Sequence, residues 1–135
     1  MGGWMDFQTI ELSQQDGITR IALNRPEVMN ALNNVMRAEI TAAMTDLAPG
    51  TRCVVLTGTG RAFCSGQDLT DAQAGLDVER VLREEYEPML AAIHGAPVPV
   101  IAAQAIVPAA VRSRMLREPL LAERPQGHDG RVAVV

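Results

Sequence analysis

The chain has 135 residues, of which 47% are hydrophobic and 21% are charged, and its formal net charge is −4 at pH 7. This length fits one domain with a buried core, and the acidic balance argues against a nucleic-acid-binding surface. The N-terminus has no basic segment before an apolar run, and prolines interrupt the longest uncharged run, residues 95–111. We therefore expect a cytoplasmic protein with neither a signal peptide nor a membrane span.

The first predicted elements form a β-hairpin. Residues 7–12 and 18–23 are rich in strand-forming side chains, and Gln15, Asp16 and Gly17 between them have turn chemistry. Asn24, Arg25 and Pro26 follow and end the second strand.

A helix, a strand, a second helix and a further strand are predicted next. Apolar residues recur at helical spacing over 34–48, and residues 53–57 form a short apolar run typical of a strand buried on both faces. A helical pattern over 78–93 contains Pro88, which should kink or divide it, and His94 with Gly95 closes it. Residues 98–102 then predict a strand, so the order indicates an α/β layer with a right-handed crossover.

The sequence changes character after Ala103. Residues 104–135 contain five of the twelve arginines and three of the eight prolines, with only a weak helical pattern over 111–121. We expect a poorly specified tail there.

The loop GRAFCSGQDL, residues 60–69, contains no group that titrates near neutrality. A turn at Gly66 can leave backbone N–H groups free, and one such donor facing a developing oxyanion lowers a barrier by about 3–4 kcal/mol. Three alternatives stay open. In the first, the loop is a simple connection with Asp68 as an N-cap; in the second, Gly58 to Gly60 cradle a phosphate; in the third, Cys64 is a nucleophile that lacks a neighbouring base.

Three blocks carry a family resemblance: ALNRPEVMNAL at 22–32, CVVLTGTGRAFCSGQDL at 53–69 and PVPVIAA at 97–103. In this order they resemble the enoyl-CoA hydratase/isomerase, or crotonase, superfamily, over about residues 6–103. The resemblance implies an α/β spiral of ββα units over 1–103 with an unmatched tail at 104–135. It also implies assembly into homotrimers or hexamers and an acyl-CoA substrate, with no metal and no cofactor beyond the coenzyme A of that substrate.

The resemblance also implies the site residues. The backbone N–H of Gln67 is the expected first donor of an oxyanion hole, so that this residue acts through its amide rather than its side chain. The expected contacts to coenzyme A come from the turn after the second strand and from the glycine loop: Val28, Ala31, Ser65, Gly66, Gln67, Asp68 and Leu69.

The GQDL variant, with the segment Tyr86, Glu87 and Pro88, is similar to the phenylacetate-degradation branch that contains epoxyphenylacetyl-CoA isomerases. An ordinary 2-enoyl-CoA hydratase is the alternative within the same family.

The resemblance ends at Ala103. Family members continue with VNG and a turn that supplies the second oxyanion donor and leads to the catalytic carboxylates, whereas QAIVPAAVRSRMLREPL follows here. We expect truncation or a frameshift, which makes a non-catalytic fragment that binds coenzyme A or co-assembles with a relative the main alternative. A nucleotide-binding module that uses the Gly58 to Gly60 loop is a third hypothesis. The remaining candidate acids and His94 are expected to be caps or solvated helix positions: Asp68, Asp71, Glu84, Glu85 and Glu87.

Overall fold

A computed structural model of the chain describes residues 6–70, 75 and 77–103, and the backbone of residues 132–134. The strands form a five-stranded sheet in the order β1-β2-β3-β4-β5. They are β1 Ile10–Gln15, β2 Ile18–Leu23, β3 Cys53–Gly58, β4 Val100–Ala103 and β5 Val132–Val134. β1 is antiparallel to β2, and each later pair of neighbours is parallel.

The predicted hairpin is confirmed. Asp16 and Gly17 link β1 to β2 with φ values of 54° and 81°, the left-handed conformation that a two-residue hairpin turn of type I′ requires. β1 begins at Ile10 rather than at residue 7, because the preceding amides bond to a helix. Gln8 and Thr9 donate their backbone N–H groups to the Glu39 carboxylate, each at 2.7 Å.

The first helix, α1, spans Asn34–Thr45. The side chain of Asn33 accepts the Met36 N–H at 2.8 Å, a standard N-cap that satisfies one of the free donors of the first turn. The helix ends before residue 48, where the Thr51 N–H donates to the Ala48 carbonyl at 3.2 Å and turns the chain toward β3. Because β2 and β3 are parallel neighbours joined through α1, the predicted crossover connection is confirmed.

The second helical stretch is divided near Pro88, as predicted. It consists of α2 Val78–Val81, a π-helical segment Leu82–Tyr86, and α3 Glu87–His94. The Glu87 N–H donates to the Leu82 carbonyl, five residues earlier. Pro88 lies in the first turn of α3, where its missing N–H removes no interior helix bond.

The core lies between one face of the sheet and the helices. The buried apolar side chains that β2, β3 and β4 direct to this face are Ile21, Leu23, Val54, Leu56 and Val100, and the helices contribute Met36, Ile40, Ala43, Met44 and Met89. On β3, Val54 and Leu56 are buried, whereas Cys53 and Val55 on the opposite face are partly exposed. Within the described residues, the helices therefore cover one face of this strand more completely than the other.

One strand was not predicted. β5 pairs in parallel with β4, with Val132 opposite Val100. Three residues are too few to show a hydrophobic period, so no local signal marks this strand. The helical pattern predicted over 111–121 lies outside the described residues. Among the helices in the described part of the chain, none combines the length and apolar character that a membrane span needs.

Candidate functional site

The candidate site lies at the carboxyl edge of the parallel strands. The segment after β2 and the segment after β3 both leave the sheet at this edge, where open α/β sheets bind their ligands. The Thr59 N–H donates to the Leu23 carbonyl at 2.8 Å and holds the two exits together. The expected coenzyme A contacts from the two segments are thereby brought to one place.

The two segments run side by side in a short parallel ladder. Leu32 and Gln67 form an isolated parallel bridge. The Leu32 N–H donates to the Gly66 carbonyl at 2.7 Å, and the Asp68 N–H donates to the Leu32 carbonyl at 2.9 Å. One step earlier, the Ser65 N–H donates to the Met29 carbonyl at 3.0 Å.

This ladder directs the Gln67 amide outward. In this parallel bridge Leu32 bonds to the residues on either side of Gln67. The N–H of Gln67 itself therefore points away from Leu32. Among the described residues, no acceptor pairs with it. Gly66 has a φ of 108°, and no atom of the described residues lies within 4 Å of the position that its Cβ would take, so this part of the structure leaves open space beside the amide.

Asn30 stabilises the site from its buried side, although no motif in the sequence marks it as a site residue. It is fully buried, at 0% exposure, with a φ of 57°. Its Oδ1 accepts the Arg25 N–H at 2.7 Å, and its Nδ2 donates to the carbonyls of Thr59 and Ala62, both at 2.9 Å. The only available signal was the tolerance of asparagine for left-handed backbone.

Asp68 is an anchor, as predicted. Its Oδ1 accepts the Thr70 N–H at 2.8 Å, and its Oδ2 accepts from Arg25 Nη1 at 3.0 Å. The hydrogen bond from the Thr70 amide, followed by that from Arg25, lowers the pKa of this carboxyl below its ordinary value. A carboxylate held in this way is ionised at neutral pH and poorly suited to accept a substrate proton.

The other expected contact residues differ in exposure. Val28 and Leu69 are 39% and 74% exposed and offer apolar surface at the rim. Ser65 is exposed and its hydroxyl donates to the Val28 carbonyl at 3.3 Å. Ala31 is buried, and its carbonyl accepts from Arg25 Nη1 at 2.6 Å, so its role in the structure is to shape the turn.

The side chain of Gln67 is engaged, which the sequence did not indicate. Its Oε1 accepts from Arg37 Nη1 at 3.1 Å and from the Tyr86 hydroxyl. Arg37 is buried on α1, and it also forms an ion pair with Glu85, Nη2 to Oε1 at 3.1 Å. The expectation that Glu85 is a cap or a solvated helix position is therefore wrong.

The remaining candidates have structural surroundings. Glu84 pairs with Arg80 at 3.3 Å on the exposed helix surface, and His94 is the last residue of α3. Glu87 lies in the first turn of α3, and Asp71 lies outside the described residues. Cys64 packs against the core, and the described residues hold no cluster of three metal-ligating side chains.

Gly58 is explained by backbone packing. A Cβ at this position would lie 2.4 Å from the Phe63 carbonyl oxygen and 2.5 Å from that of Ala62. Carbonyl oxygens against this glycine repel an anion, and the Thr59 carbonyl is already bonded to Asn30. Gly58 therefore does not support the alternative in which Gly58 to Gly60 cradle a phosphate.

The fold and these motifs define the chain as a member of the enoyl-CoA hydratase/isomerase family, whose sequence profile matches residues 13–107. It is 57% identical over 100 residues to a probable enoyl-CoA hydratase of Rhodobacter capsulatus, covering 73% of this chain and 39% of the relative. It is 35% identical over 100 residues to the 1,2-epoxyphenylacetyl-CoA isomerase of Escherichia coli, covering 66% and 37%.

The solved structures agree with this assignment. An enoyl-CoA hydratase of Mycobacterium smegmatis superimposes with a TM-score of 0.65 at 32% identity, over 70% of this chain and 39% of that one. The sheet and helices are thus part of the crotonase fold, as predicted. The chain spans about two-fifths of the length of these relatives.

Proposed function

We propose that the site binds acyl-CoA thioesters and stabilises negative charge on the thioester oxygen through the backbone N–H of Gln67. The observation that carries this proposal is the outward direction of that amide beside the open space at Gly66. A backbone donor fixed before the substrate arrives needs no reorganisation as charge develops, so it favours the transition state over the ground state.

One donor serves several reactions. The thioester oxygen gains charge when a proton leaves the α-carbon and when a nucleophile adds to the β-carbon, so hydration and isomerisation use the same hole. The reaction is then set by the acids and bases around it. The resemblance places the family's second donor and catalytic carboxylates after the segment that ends at Ala103, where this sequence departs from the family pattern. The mechanism proposed for the described residues is therefore limited to binding and polarising the thioester.

Within this function, we propose hydration of a 2-enoyl-CoA as the favoured reaction, because the relative named a probable enoyl-CoA hydratase shares 57% identity with the chain. Isomerisation of a ring epoxide is the second candidate, and its support is the 35% identity to the epoxyphenylacetyl-CoA isomerase. Assembly into trimers or hexamers and a cytoplasmic location are parts of the same proposal.

A non-catalytic role is the alternative. The ion-paired state of Asp68 supports it, since this buried acid of the loop is committed to Arg25. In that case the chain binds coenzyme A thioesters, or co-assembles with a full-length relative, without turning them over.

The test is equilibrium binding of crotonyl-CoA together with its turnover and that of a phenylacetate-derived epoxide thioester. Binding with hydration supports the first proposal, and binding without turnover of either thioester supports the alternative. Failure to bind any acyl-CoA would contradict the first proposal and would leave only co-assembly from the alternative.

A matched pair of glycine variants locates the binding. Gly66 and Gly50 both have positive φ, 108° and 83°, and at both positions the described residues leave open space where a Cβ would lie. Gly66→Ala and Gly50→Ala should therefore destabilise the fold similarly, by about 1–2 kcal/mol. Only Gly66→Ala should weaken crotonyl-CoA binding, because only that residue adjoins the Gln67 amide. Equal binding by the two variants would place the ligand elsewhere.

A further inference from the structure

Arg37 occupies an unexpected position on α1. It is 1% exposed, and its neighbours along the buried face of the helix are Met36 and Ile40. Its guanidinium donates from Nε and Nη2 to Glu85 Oε1 at 3.2 and 3.1 Å, and its Cζ lies 4.9 Å from the centre of the Tyr86 ring. The α1 helix and the π-helical segment, which are distant in the sequence, therefore enclose the charge of Arg37.

Stability does not explain this arrangement well. Removing a guanidinium from water costs several kcal/mol, and a buried ion pair often contributes less than well-packed apolar side chains of similar volume. An apolar residue at this helical position would extend the core directly. The other hydrogen bonds of the guanidinium offer a second explanation for its burial.

Arg37 touches both strands of the short ladder. Its Nη1 donates to the Leu32 carbonyl at 3.0 Å and to Gln67 Oε1 at 3.1 Å. The same Leu32 carbonyl also accepts the Asp68 N–H at 2.9 Å. Nη1 of Arg37 thus holds two groups next to the Gln67 amide. One is the Leu32 carbonyl, which also bonds to Asp68, and the other is the side chain of Gln67.

The side chain of Gln67 has little freedom left. Arginine carries only donors, so the amide oxygen must face it, and the Tyr86 hydroxyl donates to the same oxygen. Gln67 Nε2 donates to the Asp68 carbonyl at 3.3 Å. With its side chain tethered and its backbone bridged, Gln67 cannot rotate its peptide plane without breaking these hydrogen bonds.

We propose that Arg37, assisted by Tyr86, is a positioning residue that fixes the direction of the Gln67 N–H. It is buried and bonds to the Gln67 side chain, so it acts through Gln67. This inference rests on the proposed function, in which that N–H contacts the thioester oxygen. It gives the Gln67 side chain a role, whereas the family resemblance implies a role for the backbone amide alone.

The test uses Arg37→Met and Tyr86→Phe, with Arg83→Met as the control. Arg83 forms an exposed ion pair with Glu79 at 2.9 Å, away from the site. The probe is cinnamoyl-CoA, whose absorption shifts to longer wavelength when its carbonyl oxygen accepts hydrogen bonds. Because small misplacements of a fixed group cost up to about 100-fold, we expect both variants to weaken its binding about tenfold and to reduce the shift. Coenzyme A itself should bind as before, and Arg83→Met should change nothing.

A second measurement reads the amide without any ligand. The backbone order parameter of the Gln67 amide, from nitrogen-15 relaxation, should fall in both variants and stay unchanged in Arg83→Met. If cinnamoyl-CoA binds the unchanged chain but neither variant alters the shift or the order parameter, the positioning role is wrong. If the unchanged chain does not bind it while the order parameter still falls, the proposed function fails and the tether stands.

The use of two variants keeps the test valid if one of them misfolds. Tyr86→Phe removes one hydroxyl from a partly exposed side chain, so it should fold even where Arg37→Met does not. In a double-mutant cycle with Gln67→Ala, which keeps the backbone N–H, Tyr86→Phe should add no further loss of cinnamoyl-CoA affinity. Full additivity of the two losses would contradict a shared tether.

Discussion

At the residue scale, Asp68 shows how the loop separates anchoring from chemistry. The Thr70 amide and the Arg25 guanidinium both favour its ionised form and lower its pKa. An acid with a lowered folded-state pKa stabilises the fold above its unfolded pKa, and this contribution is lost as the pH falls through the folded-state value. The stabilisation is therefore complete at neutral pH and disappears only in acid.

Asp68→Asn should accordingly destabilise the protein at pH 7 and matter little in strong acid. We expect a loss of about 1.5–3 kcal/mol in the free energy of unfolding at pH 7, the usual contribution of hydrogen bonds to a charged group. Urea unfolding at pH 7 and below pH 3 measures it. Glu79→Gln, at an exposed ion pair, is the control and should change little at either pH. A loss for Asp68→Asn that is equal at both pH values would contradict the assignment.

At the element scale, α1 supports both the core and the site, so its N-cap should matter to both. Asn33→Ala removes the acceptor of the Met36 N–H and should cost about 0.5–2 kcal/mol of stability. Asn33→Asp keeps the cap and adds a favourable charge at the helix N-terminus, so it should retain or increase stability. Thermal unfolding of the two variants checks the order. An alanine variant as stable as the aspartate variant would show that the cap contributes little.

The elements that the sequence predicted have local signals. The hairpin is marked by Asp16 and Gly17, α1 by its helical spacing, and the break in the second helix by Pro88. The network around the site lacks such signals, because its contacts join distant residues. Arg37 and Glu85 are separated by 48 positions, and Arg25 and Asp68 by 43. No periodicity relates such pairs, so only the assembled sheet reveals them.

The family motifs extended the prediction further than physical pattern did. They assigned the segments around Val28 and Gln67 to one coenzyme A site. The ladder between Leu32 and Gln67 brings the two segments together, and their contacts to coenzyme A stay a prediction. They gave no indication of Asn30 or Arg37, because neither position was assigned a role in the resemblance. These two residues support the loop from within rather than facing its ligand.

At the scale of the whole molecule, ligand binding should increase the stability of the folded chain. A ligand that binds only the folded chain raises the free energy of unfolding, by about 2.7 kcal/mol at 100 times its Kd. We expect crotonyl-CoA to raise the melting temperature, and ATP and NAD to leave it unchanged. Thermal unfolding with each compound at equal concentration decides between the two classes of ligand. A larger shift with ATP or NAD would restore the nucleotide-binding hypothesis.

The π-helical segment has a consequence for the phase of the second helical stretch. Val81 and Met89, on either side of it, are both buried, yet in a continuous α-helix eight residues leave them about 80° out of register. The wider turn at Leu82–Tyr86 takes up one extra residue and removes most of this offset. It therefore works as a one-residue insertion that lets a single helical stretch keep both buried residues on the core side. Deleting one residue there should leave a regular α-helix in which Val81 and Met89 are seven positions apart and only about 20° out of register, so both should stay buried while the wide turn disappears.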